Sequence, residues 1–320
     1  MKCLCCGKPI FENSTEEELN NRWHSKCVKK FFGTKKLPEI DFSEKALEQL
    51  AIDNTNNGYT VPGVQKKLSL HLSKERGESP CLTLVNYPSG YILKPQTKDY
   101  PSMPESEYLI MQMAKETSIH TVPFALLKSG QNSELAYITK RIDRKDNLML
   151  AMEDFCQLEN RLTADKYIGS YERCAKIIDR YSTNPGLDKT EFFLRIVFSY
   201  VVGNSDMHLK NFSLIESEKL DGSYTLSDAY DLLPVNVIIP SDPDELALTL
   251  NGKNRNLRRK DFITFAQNIG IEQKPAERMI SKIVYLKQQY IQMCSDSYLP
   301  QDMKEKLSNL ISKRIEKLEK

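Results

Sequence analysis

The chain has 320 residues, 40% of them hydrophobic, and a formal net charge of only +2 from 45 basic and 43 acidic residues. That length suits two domains or one bilobal domain with a real core. The near-neutral balance excludes a protein dominated by phosphate-backbone contacts, which would carry a strong basic excess.

The opening Met1-Lys-Cys-Leu-Cys-Cys-Gly-Lys-Pro9 lacks the apolar stretch of a secretory signal. No apolar run approaches the roughly 18 residues of a membrane span, so a cytoplasmic location without membrane partners is expected. Cys3, Cys5, Cys6 and Cys27 crowd the start, while Cys81, Cys156, Cys174 and Cys294 sit singly in apolar patterns. In a reducing compartment the first group reads as metal ligands and the second as small core residues. Cys3 and Cys6 form one ligand pair and His24 and Cys27 another. Four nitrogen and sulfur ligands at that spacing suit tetrahedral zinc and leave no open position for water, so the zinc would be structural. Reduced, metal-free thiols are the alternative, and Cys5 could replace either neighbour. Residues 1–35 thus form a zinc-knuckle-like segment too poor in apolar residues to fold on a core of its own.

Residues 36–57 read as a linker with one helix, Ser43 to Ile52, and a polar loop, Asp53 to Gly58. Leu68, Leu70 and Leu72 alternate with polar neighbours, as in a half-buried strand. Strands follow at Leu82 to Val85 and Tyr91 to Leu93, across the turn Pro88-Ser-Gly90. Pro104 to Ser118 reads as a helix, followed by strands at Pro123 to Leu127 and Leu135 to Thr139. From about residue 150 the pattern turns helical. Thr190 to Val202 is apolar on most faces and predicts a buried helix. Asn211 to Ile215 and Tyr224 to Leu226 predict a hairpin, and the last stretch two or three amphipathic surface helices.

Phosphoryl transfer from ATP needs a lysine on the phosphates, oxygen ligands for magnesium and an aspartate that orients the acceptor hydroxyl. Protein kinases carry these in a set order, and candidates occur here in that order: loop Gly63, strand Lys94, helix Glu107, Asp206 with four residues before Asn211, then Asp231. Each is weak alone. The order, with a buried helix ahead of the polar loop and a strand after it, carries the reading. It predicts an α+β, bilobal protein-kinase-like fold, with a small β-rich N-lobe over 58–145 and a larger α-helical C-lobe over 146–320.

Gly203-Asn-Ser-Asp-Met-His-Leu-Lys-Asn-Phe-Ser213 with Ala229-Tyr-Asp-Leu-Leu-Pro234 resembles the signature of HipA-type kinases, Ser/Thr kinase toxins of bacterial toxin–antitoxin systems. Val61-Pro-Gly-Val-Gln-Lys-Lys-Leu68 is similar to their ATP loop. Tyr91-Ile-Leu-Lys-Pro95, Glu105-Ser-Glu-Tyr108, Lys140-Arg-Ile-Asp-Arg144 and Thr249-Leu-Asn-Gly-Lys253 resemble further family segments. The resemblance implies Asp206 as catalytic base, Asn211 and Asp231 as magnesium ligands, and Lys210 neutralising charge on the transferring group. It places Gly63, Val64, Gln65, Lys67, Lys94, Lys140, Ile142 and His208 around ATP, with Glu107 pairing Lys94 unless Glu105 takes that role. Thr60 corresponds to an autophosphorylated loop serine. The short stretch before the ATP loop resembles the split (HipT-like) form, in which a separate small protein supplies an N-terminal subdomain. The implied activity is an ATP- and magnesium-dependent Ser/Thr protein kinase that blocks translation by phosphorylating an aminoacyl-tRNA synthetase. It would meet DNA only through an antitoxin. A small-molecule or lipid phosphotransferase and a catalytically silent kinase-fold binding module are the alternatives.

Overall fold

Alternating apolar side chains build the sheet of the first of two units into which the chain divides. That unit is Met1–Tyr108 with Val122–Leu148, and the second is Leu109–Thr121 with Met149–Lys320. The computed structural model describes residues 1–40, 67–73, 79–83, 90–129, 134–145 and 148–320. The helix expected over 43–52 and the loop over 53–58 lie outside the described residues.

In the first unit, strands β1 (Leu68–Ser73), β2 (Cys81–Thr83), β3 (Tyr91–Lys94), β4 (Phe124–Ser129) and β5 (Glu134–Lys140) form one sheet in the order β2-β1-β3-β5-β4. The pairings are antiparallel, with Leu68 opposite Leu93, Leu93 opposite Ile138 and Lys94 opposite Tyr137. Leu68, Leu70, Leu93 and Ile138 are buried, as the period-two pattern requires.

Two short helices precede the sheet, α1 (Glu16–Asn21) and α2 (Ser25–Phe32). The Thr15 hydroxyl caps α1 by accepting from the Glu18 amide at 3.3 Å. Trp23 is 1% exposed and donates its indole N–H to the Leu126 carbonyl at 3.1 Å. The Leu126 amide in turn donates to the Leu4 carbonyl at 2.9 Å. Because β4 is an edge strand, these bonds cover backbone groups that an open edge would leave to solvent. The rings of Phe31 and Phe32 lie 5.9 and 5.4 Å from that of Tyr91 on β3. The first 35 residues therefore borrow the sheet's core instead of making one.

Helix α3 (Met103–Glu116) begins in the first unit and ends in the second. In the second unit, β6 (Met152–Asp154), β7 (Ser213–Glu216) and β8 (Tyr224–Leu226) form a sheet in the order β8-β7-β6. Its helices include α4 (Phe155–Leu158), α5 (Tyr171–Tyr181), α6 (Pro185–Val202), α7 (Arg259–Asn268), α8 (Gln273–Tyr285), α9 (Lys287–Ser295) and α10 (Gln301–Glu319), besides a single turn at Val235–Ile238. Every residue of α6 from Phe192 to Val202 is buried. The helix starts earlier than Thr190 because Pro185 is preorganised for its first turn. The expected hairpin forms as β7 and β8, while Asn211 lies in a short 3-10 turn before it. The C-terminal helices are less superficial than their charge predicts. Leu307, Ile311, Ile315 and Leu318 of α10 are buried, and Arg314 hydrogen-bonds the Tyr200 carbonyl and, at 2.7 Å, Asn236. Cys156, Cys174 and Cys294 are buried and all eight cysteines are free thiols. Among the described residues no helix is long and apolar enough to cross a membrane.

Candidate active site and metal centre

Lys94 ends β3, where pairing with Tyr137 on β5 fixes its backbone. Its ammonium reaches both carboxylate oxygens of Glu107, at 2.7 and 2.8 Å, and stands 5.3 Å from the centre of the Tyr137 ring. The two side chains are only 5% and 1% exposed. Burying two charges costs several kcal/mol that their attraction barely offsets, so such a pair marks a place where positioned charge is wanted. Glu105 turns instead to Gln96, whose amide nitrogen donates to both its oxygens at 2.8 Å. Burial pushes the Glu105 carboxyl above its ordinary range. Further along, the Lys140 and Arg141 amides donate to the carbonyls of Pro123 and Gly90, both at 2.9 Å. Ile142 follows in a turn, and the Arg141 guanidinium pairs with Asp143 at 2.7 Å. Lys67 immediately precedes β1, whereas Thr60, Gly63, Val64 and Gln65 lie outside the described residues.

In the second unit, α6 stops at Gly203, whose φ of +79° is open to glycine at little cost. A β-carbon there would stand 3.1 Å from the Leu310 side chain. The chain then turns sharply through Asn204–His208 and a 3-10 turn, Leu209–Asn211. The turn is held by its own polar groups. The Asn211 amide nitrogen donates to the Asp206 carbonyl at 2.8 Å, as does the His208 backbone amide. That use of the nitrogen leaves the Asn211 side-chain oxygen as the atom able to serve a cation. Phe212 anchors the far end, fully buried and 4.8 Å from Phe192 of α6.

Around this loop the side chains form a polar cluster. The Asp206 carboxylate accepts a hydrogen bond from the Tyr167 hydroxyl and lies 3.9 Å from His208 Nε2. Lys210 Nζ contacts Asp154 Oδ2 at 2.6 Å. Asp154 also caps α4 by accepting from the Gln157 amide at 2.9 Å. The Tyr230 hydroxyl donates to the Lys210 carbonyl at 3.1 Å. Asp231, next in sequence, has φ +59°, a left-handed conformation costly for a residue with a β-carbon and common at functional sites. Its segment is pinned by the Ala229 amide, which donates to the His120 carbonyl at 2.7 Å. Asp154 and Tyr167 escape the sequence reading because they meet their partners 56 and 39 residues away with no shared local pattern.

The N-terminal cluster is also assembled. One donor atom from each of Cys3, Cys6, His24 and Cys27 lies within 4.8 Å of the others. Zinc with bonds of ~2.3 Å to sulfur needs donors ~3.8 Å apart. Cys6 Sγ is 3.4 Å and Cys27 Sγ 3.9 Å from His24 Nδ1. His24 Nε2 contacts the Pro9 carbonyl at 3.1 Å, the outer-shell bond that would leave Nδ1 as the ligand atom. The His24 backbone amide donates to Cys3 Sγ at 3.4 Å. Burial, then the neighbouring Cys3 and Cys5, push the Cys27 thiol up. Burial also works to raise the Cys6 thiol, but hydrogen bonds from the Lys8 backbone and from His24 outweigh it and hold it below its ordinary range. Cys5 lies outside the four, and its carbonyl accepts from the Tyr108 hydroxyl at 3.3 Å. The donor chemistry and spacing fit zinc.

The family model for the HipA-like C-terminal domain matches residues 59–290. The chain belongs to this family. The HipA-like chain is 29% identical over 293 residues to a Haemophilus influenzae protein named "Putative kinase", with 82% of each chain covered. It is 29% identical over 199 residues to "Putative kinase Y4dM" of Sinorhizobium fredii, across 58% of this chain and 48% of that protein. Among solved structures it resembles Shewanella oneidensis HipA, determined with HipB and operator DNA, at a TM-score of 0.67 and 18% identity, covering 85% of this chain and 70% of that one. It also resembles the Helicobacter pylori proinflammatory kinase CtkA, at a TM-score of 0.52 and 16% identity, covering 78% and 93%. Both likenesses establish the fold, α+β and kinase-like. Lys94, Glu107, Asp206, His208, Lys210, Asn211 and Asp231 all fall inside the HipA-like span, whereas the cluster of Cys3, Cys6, His24 and Cys27 precedes it.

Proposed function

We propose that this HipA-like chain is an ATP- and magnesium-dependent Ser/Thr protein kinase acting as the toxin of a toxin–antitoxin system. The observation that carries this is the turn that holds Asp206, Lys210 and Asn211 together, with the strained Asp231 after the following hairpin. Asn211 and Asp231 supply the oxygen ligands that magnesium prefers, and the ion when bound neutralises charge on the phosphates. Asp206 accepts the proton of the acceptor hydroxyl. Lys94, held by Glu107, contacts the phosphates. Lys210, steadied by Asp154, offsets charge on the transferring group. The remaining groups of Lys140 and Ile142, with His208, Lys67, Gly63, Val64 and Gln65, complete the nucleotide site, and Thr60 is the candidate for autophosphorylation. Zinc on Cys3, Cys6, His24 and Cys27 is structural.

The partner found with Shewanella HipA is HipB on operator DNA, which supports an antitoxin here and contact with DNA only through it. A small separate protein supplying an N-terminal subdomain is the second expected partner, and an aminoacyl-tRNA synthetase the proposed substrate. Phosphoproteomics of cells expressing the wild type or Asp206→Asn tests the reading. A synthetase phosphosite, with growth arrest, should appear only with the wild type. Arrest that survives Asp206→Asn would sink it, and label confined to small molecules would favour the small-molecule phosphotransferase.

A further inference from the structure

We infer that Tyr167 is a positioning residue for Asp206, fixing the carboxylate through a hydrogen bond that persists while the acceptor is phosphorylated. This rests on the reading of Asp206 as the proton acceptor. The Tyr167 hydroxyl donates to Asp206 Oδ1. A charge-assisted bond of this kind is stronger than one between neutral groups, so it favours one orientation of the Asp206 carboxylate. Burial, and then the bond to and charge of Asp206, push the phenol up, which keeps it protonated and a donor.

Two features decide between a fixed partner and a block that the acceptor must displace. The first is how firmly the phenol is mounted. The Leu209 amide donates to the Lys166 carbonyl at 3.1 Å, tying the Tyr167 segment to the catalytic turn itself. The buried Tyr171 hydroxyl donates to the Met207 carbonyl at 3.1 Å, and Arg161 reaches the Ile168 carbonyl. The Tyr167 ring meets His208 edge-on at 5.0 Å, and the Lys166 ammonium stands 4.9 Å from its centre. Swinging the hydroxyl off Asp206 would give up the ring's contact with His208. The second feature is access. With Tyr167 in place, the Asp206 side chain is still 43% exposed, so an acceptor hydroxyl can approach it without evicting the phenol.

The test uses the 320-residue chain, labelled ATP and a soluble extract of the expression host as protein acceptor. Initial rates of label transfer are followed against ATP concentration. Tyr167→Phe keeps the ring and removes only the donor. It should lower the maximal rate about tenfold to a hundredfold, as for a slightly misplaced catalytic group, with half-saturating ATP and melting temperature unchanged. A maximal rate equal to the wild type overturns the inference. So does a higher rate, which would make the phenol a block, or a loss expressed as weaker ATP saturation. A wild type that binds ATP but labels no protein removes the kinase reading and this inference with it, and that outcome is visible without the variant.

Discussion

Replacing Glu107 with leucine should destabilise the first unit by about 3–5 kcal/mol, because it takes from a buried ammonium the carboxylate that both its short bonds reach. The Lys94 and Glu107 side chains are 5% and 1% exposed, and nitrogen and oxygen are 2.7 Å apart. At an effective dielectric near 20 that separation gives an attraction of about 6 kcal/mol, of the same order as the cost of desolvating the two ions. The intact pair is therefore close to break-even, and only its disruption is expensive. The Tyr137 ring, 5.3 Å from the ammonium, contributes about 0.5–2 kcal/mol in the wild type and the variant alike, so it does not change the difference. Lys94→Met with Glu107→Leu removes both charges and should restore most of the stability while abolishing phosphotransfer. Hydrogen exchange of the β3 and β5 amides reads the local stability, which whole-chain unfolding of two units would blur. A double variant no better protected than Glu107→Leu would refute the argument, as would a single-variant cost under about 1 kcal/mol, the size of a surface pair.

Glu105→Gln should stabilise the fold at neutral pH. Burial raises the folded-state carboxyl above its unfolded value, so stability is full below the ordinary glutamate range and is lost as pH rises through the folded value. Melting temperatures of wild type and variant should thus converge in acid and separate toward neutrality, and a constant gap would contradict the assignment. Chain purified with zinc should carry one ion by elemental analysis, and Cys27→Ser should carry none. Loss of zinc should open the α2 amides to hydrogen exchange, since metal binding and folding are linked in so small a segment. Gly203→Ala should cost about 1–2 kcal/mol from the left-handed backbone alone, measured by urea denaturation. Its β-carbon would also press on Leu310 at 3.1 Å.

Much of the fold is legible in local pattern, and the reasons are physical. The run from Thr190 to Val202 is apolar on nearly every face, and only a helix surrounded by protein satisfies it. The alternation at Leu68 and Leu70 dictates one buried side of a strand. The turn from Gly203 to Asn211 is legible through its resemblance to a family motif and its place between Lys94 and Asp231, since its residue spacing alone is weak. The C-terminal helix α10 was harder to read, because its buried positions are interleaved with lysines and glutamates that suggest a surface.

Glu105 and Glu107 show where pattern stops. Two residues apart on a helix, they point about 200° apart, and the sequence does not say which side faces the strand bearing Lys94. The sheet decides it, giving Glu107 to Lys94 and Glu105 to Gln96. The same holds for Tyr167 on Asp206 and Asp154 on Lys210, whose spacing along the chain follows no helix or strand period. The grouping of Cys3, Cys6, His24 and Cys27 could be read directly, because a candidate metal site restricts local spacing. That this segment also covers the β4 edge through Leu4, Trp23 and Leu126 could not be, because hydrogen bonds between distant backbone groups leave no mark on residue type. Sequence by itself determined the class of fold, the family and which residues are candidates for each cluster. Only tertiary structure decided which charges meet, because side-chain partners are chosen by the faces that packing brings together.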